Sequence, residues 1–247
     1  KNFFILNIKW WKKCCVDKYF IAVIKLEIMN FSNIEKINSQ KMYKVYDDWP
    51  QIAKESFSFK REVENFENIK HIVFSGMGGS GAIGDMFASI LSQTKIHVNI
   101  VKGYLLPKTA NSDTLVVVIS VSGNTIETLS VLESAQKLKC KIIAFSSGGK
   151  IQEFCVKNNI KHKTVSKFHS PRATFTSYLY TILKVLHNTL NIKEEDILES
   201  IEKLNELNKK ISSSNLTDTN PAINLAKWIT DIPIIYYPFG LQASAIR

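Results

Sequence analysis

Two segments rich in glycine and hydroxyl side chains stand where strand-like runs give way to helix-like runs. The first is Gly76-Met-Gly-Gly-Ser-Gly81, and the second is Ser120-Val-Ser-Gly-Asn-Thr125. Glycine lets backbone N–H groups converge on an anion, and the N-terminus of the following helix adds a favourable dipole. Hydroxyl groups can bond phosphate oxygens or sugar hydroxyls. Together the two segments predict a site for a phosphate-ended polyol. The candidate binding residues are Ser80, Ser120, Ser122 and Thr125.

Helix capping is an alternative explanation for part of the second segment. Asn124, followed three residues later by Glu127, fits the pattern in which both side chains bond N–H groups at a helix start. Capping would account for these two residues but not for three hydroxyl groups at the same place. Because both segments are expected at one edge of a sheet, we interpret them as parts of one binding site.

A third segment, His169-Ser-Pro-Arg172, places an arginine where a helix is expected to begin. Proline suits the first helical position, so Arg172 is predicted in the first turn. A cation there opposes the helix dipole by a few tenths to ~1 kcal/mol. A residue that breaks a local rule at a ligand edge indicates function. The alternative is that Arg172 pairs with a nearby acid.

The first segment also matches the dinucleotide pattern GxGxxG through Gly76, Gly78 and Gly81. A dinucleotide-binding domain needs an acidic residue near the end of its second strand, where it holds the ribose hydroxyls. The second predicted strand ends in the run 100–103, Ile-Val-Lys-Gly, which contains no acid. This argues against a nicotinamide-dependent oxidoreductase.

The elements that must position these segments alternate between strand and helix patterns. The predicted strands are Ile72–Ser75, Val98–Val101, Leu115–Ser120, Lys141–Ser146 and Lys163–Val165. The predicted helices are 41–56, Ala82–Leu91, Ile126–Leu138, Lys150–Lys157, Arg172–Asn188, Lys193–Ile211 and Pro221–Thr230, with a last strand at Ile232–Tyr237. The third strand is apolar on both faces, as in a central parallel strand. We therefore predict an α/β fold with a doubly wound parallel β-sheet sandwiched by helices.

The domain organisation follows from these patterns. Residues 1–28 lack any clean periodicity and are expected to be a non-native or upstream-translated segment, with Met29 as a plausible start. The predicted units are an N-terminal helical segment (29–70), a first α/β domain (71–190), a connecting helix and linker (191–219), and the start of a truncated second domain (220–247).

Composition excludes several classes of protein. Of the 247 residues, 45% are hydrophobic and 22% charged, which excludes wholesale disorder. The net charge of +10 reflects 32 basic residues, 29 scattered lysines and three arginines, against 22 acidic ones. Nucleic-acid recognition usually uses arginine, so this composition does not favour a nucleic-acid-binding protein. No apolar run approaches the ~18 residues of a membrane span. The four cysteines show neither CxxC nor metal-type spacing with histidine, so we expect reduced thiols, no metal and a cytoplasmic location.

At these motifs the chain resembles a sugar isomerase (SIS) domain and, more narrowly, the bifunctional phosphoglucose/phosphomannose isomerases. The resemblance rests on GMGGSGAIGD at 76–85, SVSGNTIET at 120–128 and SPRATF at 170–175, and it covers roughly Met42 to Arg247. The Ser-x-Ser-Gly-x-Thr element marks the wider superfamily. The GMGGSG…GD and Pro-Arg elements favour the narrower family.

The resemblance implies roles for individual residues. Ser120, Ser122 and Thr125 would hold the substrate phosphate, and Gly79 and Ser80 would contact the sugar chain. Pro171 and Arg172 would line the reacting carbons, with Arg172 as a catalytic residue that stabilises the oxyanion of an enediolate. The implied reaction interconverts glucose 6-phosphate (and mannose 6-phosphate) with fructose 6-phosphate, without metal or redox cofactor, in a cytoplasmic homodimer with shared active sites.

The family has a second SIS domain that carries its general-base glutamate, ring-opening histidine and a lysine. Here that domain has only begun, so none of these three residues can be assigned. We therefore expect this chain to bind phosphosugar weakly without turnover. The alternative is a non-catalytic phosphosugar sensor, although residues 29–70 show little sign of the DNA-binding module that such regulators often carry.

Overall fold

A computed structural model describes residues 31–60 and 62–229 of the chain. The strands are β1 His71–Ser75, β2 His97–Val101, β3 Leu115–Ser120, β4 Lys141–Ser146 and β5 Lys161–Thr164. The helices are α1 Phe31–Ile37, α2 Met42–Asp47, α3 Trp49–Ser58, α4 Gly79–Ile90, α5 Ile126–Lys137, α6 Gly149–Lys157, α7 Phe175–Leu190, α8 Glu194–Ile211 and α9 Pro221–Trp228, and a 3-10 turn, Leu91–Gln93, follows α4.

The five strands form one parallel sheet in the order β2-β1-β3-β4-β5. Strand β3 is central and buried at every position, because helices cover both faces of the sheet. The chain winds outward from β1 to β2 and, in the other direction, from β3 through β4 to β5. This arrangement confirms the predicted doubly wound α/β fold and creates a topological switch point between β1 and β3.

Two apolar layers hold the sheet between its helices. On one face, side chains of β1 and β3 pack with α3, α4, α7 and α8, and the rings of Phe74 and Phe87 stack with centroids 5.0 Å apart. On the other face, Val73, Val116 and Val118 pack against α5 and α6. Residues 31–60 and 62–229 contain no helix with the length and hydropathy needed to cross a bilayer.

The N-terminal helical prediction was wrong in one respect. The single helix predicted over 41–56 is two helices, α2 and α3, which meet at Asp48. Pro50 lies at the start of α3, where its missing N–H group costs nothing, and a proline farther inside one continuous helix would remove a backbone bond. The helix predicted at 221–230 is present as α9, whereas the strand predicted at Ile232–Tyr237 and the segment 1–28 lie outside the described residues.

The fifth strand begins two residues earlier than predicted. Strand β5 is Lys161–Thr164, whereas the apolar pattern placed it at Lys163–Val165. Its sequence is polar because it is an edge strand, with one side of its backbone unpaired. Hydrophobicity is therefore a poor guide to its start.

Glu64 ties the segment before β1 to this edge strand and to α7. Its carboxylate is buried and pairs with the ammonium groups of Lys161 and Lys163, the latter at 2.7 Å. Its backbone N–H donates to the carbonyl of Val185 at 2.8 Å, and the Thr189 hydroxyl donates to its carbonyl oxygen at 3.0 Å. Burial alone would raise the pKa of Glu64, but the bonds and charges of the two lysines outweigh it and hold the pKa below its usual value.

Because the folded state favours the Glu64 carboxylate, its stabilising contribution is present above the ordinary pKa of 4.5 and is lost as the pH falls through the lower folded pKa. We expect Glu64→Gln to lower the free energy of unfolding at neutral pH by about 1–3 kcal/mol, since it leaves Lys163 without its buried partner. The variant should also lose less stability than the wild type between about pH 5 and pH 3. Urea denaturation across this range measures both effects.

Glu206→Gln is the matched control, since Glu206 pairs with Lys203 where both side chains are well exposed. It should change stability by less than about 0.5 kcal/mol. If the unfolding free energies of wild type and Glu64→Gln fell equally between about pH 5 and pH 3, the lowered pKa of Glu64 would be contradicted.

Candidate functional site

The first two predicted binding segments follow the neighbouring strands β1 and β3, on either side of the switch point of the sheet. Ser75, the last residue of β1, pairs in register with Val118, so β3 extends two residues farther before its loop begins. Helix α4 starts after β1 and helix α5 starts after β3, on opposite faces of the sheet. The N–H groups of both helix starts therefore lie near the carboxyl ends of β1 and β3, the region in which open α/β sheets bind ligands in a crevice.

The second half of the first glycine-rich segment belongs to a helix and not to a loop. Helix α4 begins at Gly79, three residues earlier than predicted, so Gly79 and Ser80 lie in its first turn. The turn is packed closely onto the strand, because a Cβ on Gly81 would lie 2.7 Å from the carbonyl oxygen of Gly76. Ser80 is buried, so this turn offers mainly backbone groups to a ligand.

An ion pair next to this turn was not predicted. The Lys102 ammonium, just after β2, lies 2.7 Å from both carboxylate oxygens of Asp85 on α4. Its aliphatic stem passes against Gly81. A lysine thus stands where a dinucleotide-binding domain needs a carboxylate, and its own charge is neutralised by Asp85.

The second segment forms a compact loop whose hydroxyl groups differ in access. The buried Ser120 hydroxyl lies 2.9 Å from the Thr125 hydroxyl and accepts the Gly123 N–H at 3.1 Å. The exposed Ser122 hydroxyl accepts the Asn124 N–H at 3.2 Å. The structure therefore brings the three predicted residues together. Ser122 is exposed at the surface, whereas Ser120 and Thr125 bond to each other and stabilise the loop internally.

The capping pattern predicted that Asn124 would cap α5, but Asn124 does not do so. The capping position is Thr125, and its side chain makes no capping bond. The Asn124 carbonyl oxygen Oδ1 instead accepts the N–H of Lys150, at the start of α6, at 3.1 Å. The side chain turns toward the neighbouring loop because that loop lies directly against its own.

This neighbouring loop, the junction of β4 and α6 at residues 146–149, was missed by sequence reasoning. A Cβ on Gly123, which has φ +69°, would lie 1.7 Å from the carbonyl oxygen of Gly148. The N–H of Ile151 donates to the Gly123 carbonyl at 2.9 Å, and the Ser147 hydroxyl donates to the carbonyl of Val121. The signal available in the sequence was the dipeptide Gly148-Gly149 directly after a buried strand at the same sheet edge.

The third segment lies beside the start of α4. The backbone carbonyl oxygen of Pro171 would be 3.6 Å from a Cβ on Gly79, so these two predicted residues are neighbours. Pro171 and Arg172 are exposed in a turn, because α7 begins at Phe175 and not at Arg172 as predicted. The buried Thr174 hydroxyl organises this turn, at 2.8 and 2.7 Å from the carbonyl oxygens of Phe168 and Ser170.

Arg172 is exposed on a turn that hydrogen bonds of Thr174 hold in place. Among the residues that the structure describes, no carboxylate lies within ion-pair distance of its guanidinium, so no acid in these ranges pairs with it. The turn is anchored from behind by Trp49 on α3, whose indole N–H donates to the Ala173 carbonyl at 2.9 Å. An unpaired cation beside two helix starts favours an anionic ligand.

Metal-type and thiol chemistry find little support in the described ranges. No group of three or more His, Cys, Asp or Glu side chains within 31–60 and 62–229 is placed to hold a metal ion. Burial raises the pKa of Cys155 to about 11, so its thiol stays protonated near neutral pH.

The contact between Gly123 and Gly148 gives a graded prediction for three glycines. Gly123→Ala should lower the free energy of unfolding by about 3 kcal/mol or more, because it adds both backbone strain and a clash. Gly78→Ala, with φ +54° and open space around it, should cost about 1–2 kcal/mol from strain alone. Gly103→Ala, which meets neither, should change stability by less than about 0.5 kcal/mol. Chemical denaturation measures the series, and equal effects at Gly123 and Gly103 would contradict the close contact.

The anchor at Trp49 gives a second prediction. Trp49→Phe keeps a large ring but leaves the buried Ala173 backbone without its donor, so we expect a loss of about 1–3 kcal/mol in unfolding free energy. The same substitution at the exposed Trp228 is the control and should cost less than about 0.5 kcal/mol. Equal losses in unfolding free energy for the two substitutions would contradict the role of the Trp49 indole bond as an anchor of the turn.

Comparison with known proteins places this geometry in a family. Residues 65–187 match the SIS domain. A bifunctional phosphoglucose/phosphomannose isomerase of Caldicellulosiruptor bescii is 34% identical over 176 residues, which cover 69% of this chain and 51% of the relative. A relative of the same name from Aquifex aeolicus is 32% identical over 185 residues, covering 70% and 55%.

The chain spans about half the length of these curated relatives. Among solved structures, a hypothetical protein of Thermus thermophilus shares the fold with a TM-score of 0.53 and 18% identity, over 78% of this chain and 50% of that one. The resemblance to the bifunctional isomerases is thus confirmed, and the chain belongs to the SIS domain family.

Proposed function

We propose that this chain supplies the phosphosugar-binding site of an aldose–ketose isomerase that interconverts glucose 6-phosphate (and mannose 6-phosphate) with fructose 6-phosphate. One observation carries the proposal. The hydroxyl-bearing loop at 120–125 and the unpaired Arg172 turn border the same sheet edge in a SIS domain whose relatives carry the name of this activity.

The phosphate is assigned to the loop at 120–125 and the start of α5. The exposed Ser122 hydroxyl can bond a phosphate oxygen directly, and the hydrogen bond between Ser120 and Thr125 keeps the loop in shape. Backbone N–H groups at the helix start add donors, and the helix dipole favours the negative charge. A phosphate held here would sit over the switch point.

The sugar chain is assigned to the surface beside the contact between the start of α4 and the Pro171 turn. Gly79 and Ser80 contribute to this surface from α4, and Pro171 and Arg172 contribute from the turn. The absence of a side chain at Gly79 lets the Pro171 carbonyl approach the helix backbone closely and so fixes the turn beside the helix start.

The proposed reaction moves a proton between C2 and C1 through a cis-enediolate. A base removes the C2 proton of the open-chain aldose and returns it to C1, while the hydroxyl proton passes from O2 to O1. Negative charge develops on the enediolate oxygen, where the Arg172 guanidinium, which no carboxylate in the described ranges pairs with, can stabilise it. Losing the base typically costs roughly 10²–10⁴-fold in rate.

The general-base glutamate, ring-opening histidine and lysine implied by the resemblance are not assigned to any described residue. We therefore propose that the chain by itself binds phosphosugar and does not turn it over. For the whole protein we propose a cytoplasmic homodimer with shared active sites and no metal or redox cofactor, nucleic acid or membrane as a partner.

A non-catalytic phosphosugar sensor is the second candidate function. It is favoured by the fact that every binding element assigned above lies among the described residues, while none of those residues is assigned as the base. An isomerase needs the additional residues, whereas a sensor needs only the crevice.

Calorimetric titration with fructose 6-phosphate tests the binding site. Removing the Ser122 hydroxyl deletes one bond to a charged group, so Ser122→Ala should weaken binding by about 10- to 100-fold. Ser92→Ala is the matched control, since Ser92 is an exposed serine in the 3-10 turn that leads to the opposite edge of the sheet. Its affinity should equal that of the wild type.

NAD serves as the control ligand and should not bind. Binding of NAD without fructose 6-phosphate would overturn the phosphosugar assignment. Isomerase activity of the purified chain well above background would contradict the proposal that it does not turn substrate over.

A further inference from the structure

A histidine outside all the predicted site segments lies at the start of a hydrogen-bond chain that leads into the site. His162, on strand β5, is half-buried, and its Nε2 atom lies 2.8 Å from the hydroxyl oxygen of Ser146. Ser146 is the fully buried last residue of β4. Neither side chain has a role in the proposed binding of phosphate or sugar.

The partners of Ser146 fix the direction of this bond. The Ser146 hydroxyl lies 2.8 Å from the carbonyl oxygen of Gly148, which can only accept, so its single hydrogen is donated there. Its oxygen accepts the N–H of Gly148 at 3.3 Å, and therefore it must also accept from His162. Burial lowers the pKa of His162, so the ring is neutral at neutral pH and its one N–H is on Nε2.

Gly148 connects this chain of hydrogen bonds to the loop at 120–125, to which the phosphate is assigned. Its carbonyl oxygen packs against Gly123 so closely that no Cβ fits between them. Asn124 and the N–H of Lys150 bond across the same junction, as do Gly123 and Ile151. A shift of the Gly148 carbonyl therefore moves the backbone that carries Ser122.

We propose that His162 is a positioning residue for phosphate binding, acting through Ser146 and Gly148 on the loop at 120–125. This inference rests on the proposed function. The Nε2–H group holds the Ser146 hydroxyl in the orientation in which it donates to the Gly148 carbonyl. The loop at 146–149 then supports the loop at 120–125 through the contact between Gly148 and Gly123. Without this donor the Ser146 hydroxyl keeps only its two bonds to Gly148, and the support loosens.

Four variants of the full polypeptide chain test the positioning role, of which three are substitutions of histidine. His162→Leu removes the donor, and His162→Gln places an N–H donor close to the original Nε2 position. The control is His71→Leu on β1. His71 is also half-buried, with ring nitrogens 3.1 Å from the Thr114 hydroxyl and 2.8 Å from Asn99 Oδ1. It is the first residue of β1, so it lies at the amino ends of the strands, away from the binding loops at their carboxyl ends.

Affinity for fructose 6-phosphate is the first measurement, made by calorimetry where each variant is folded. We expect His162→Leu to bind about tenfold more weakly, His162→Gln to bind within about threefold of wild type, and His71→Leu to match wild type. Ser146→Ala cuts the same chain at its next link with little change in volume. It should show the same loss as His162→Leu, and it decides the question if that variant does not fold.

The second measurement needs no ligand. Amide hydrogen exchange at Gly123 and Gly148 should speed up in His162→Leu and in Ser146→Ala, and it should keep the wild-type rate in His71→Leu. If the wild-type chain binds no phosphosugar, the proposed function fails and exchange alone decides the positioning role.

Unchanged exchange and unchanged affinity in both His162→Leu and Ser146→Ala would overturn the inference while leaving the proposed function standing. An equal loss of affinity in His71→Leu would also overturn it, since the effect would then be general destabilisation. Failure of His162→Gln to restore affinity would show that the donor is not what matters.

Discussion

The geometry of the candidate site depends on the contact between the backbones of Gly123 and Gly148. Two loops that follow neighbouring strands are pressed together until no side-chain atom fits between them. Because protein interiors are close-packed and deform little, such a contact fixes the separation of the loops more firmly than flexible side chains could. The positions of Ser122, of the start of α5 and of the Asn124–Lys150 bond all follow from it.

The second requirement of the proposed site is a cation that no carboxylate among the described residues neutralises and whose backbone is fixed in place. Arg172 has a long, flexible side chain, yet the turn beneath it is fixed by the Thr174 hydroxyl and by the indole of Trp49. A charge that must act on a developing oxyanion gains from being placed beforehand, since no reorganisation is then needed during the reaction. The helices before the sheet thus serve the crevice although they do not line it.

Parts of the fold with a strong apolar pattern could be predicted from the sequence to the residue. Strands β3 and β4 have the predicted bounds because they are apolar on both faces and flanked by polar turns. The polar edge strand β5 and the starts of α4 and α7 could not be predicted as well. At those helix starts, glycine, proline and threonine fit either a loop or a first turn, and tertiary packing decides between them.

The candidate site divides in the same way. Residues that cluster along the chain, such as the three hydroxyls of 120–125, could be predicted from local spacing. The supporting residues could not, because their partners are distant in sequence. Trp49 bonds a carbonyl 124 residues away, and Asn124 bonds an N–H 26 residues away. Nothing in the local pattern around His162 indicates that its ring reaches Ser146.

The two outer strands of the sheet have a consequence for self-association. Strand β5 alternates Lys161, His162, Lys163 and Thr164, and strand β2 carries His97 and Asn99. Edge strands with lysine and other polar side chains are poor templates for adding a foreign strand, so they protect against sheet-to-sheet aggregation. A second molecule that docks productively must then approach the helical layers or the loop edge. The polarity of the edges thereby restricts which surfaces of this domain remain for assembly.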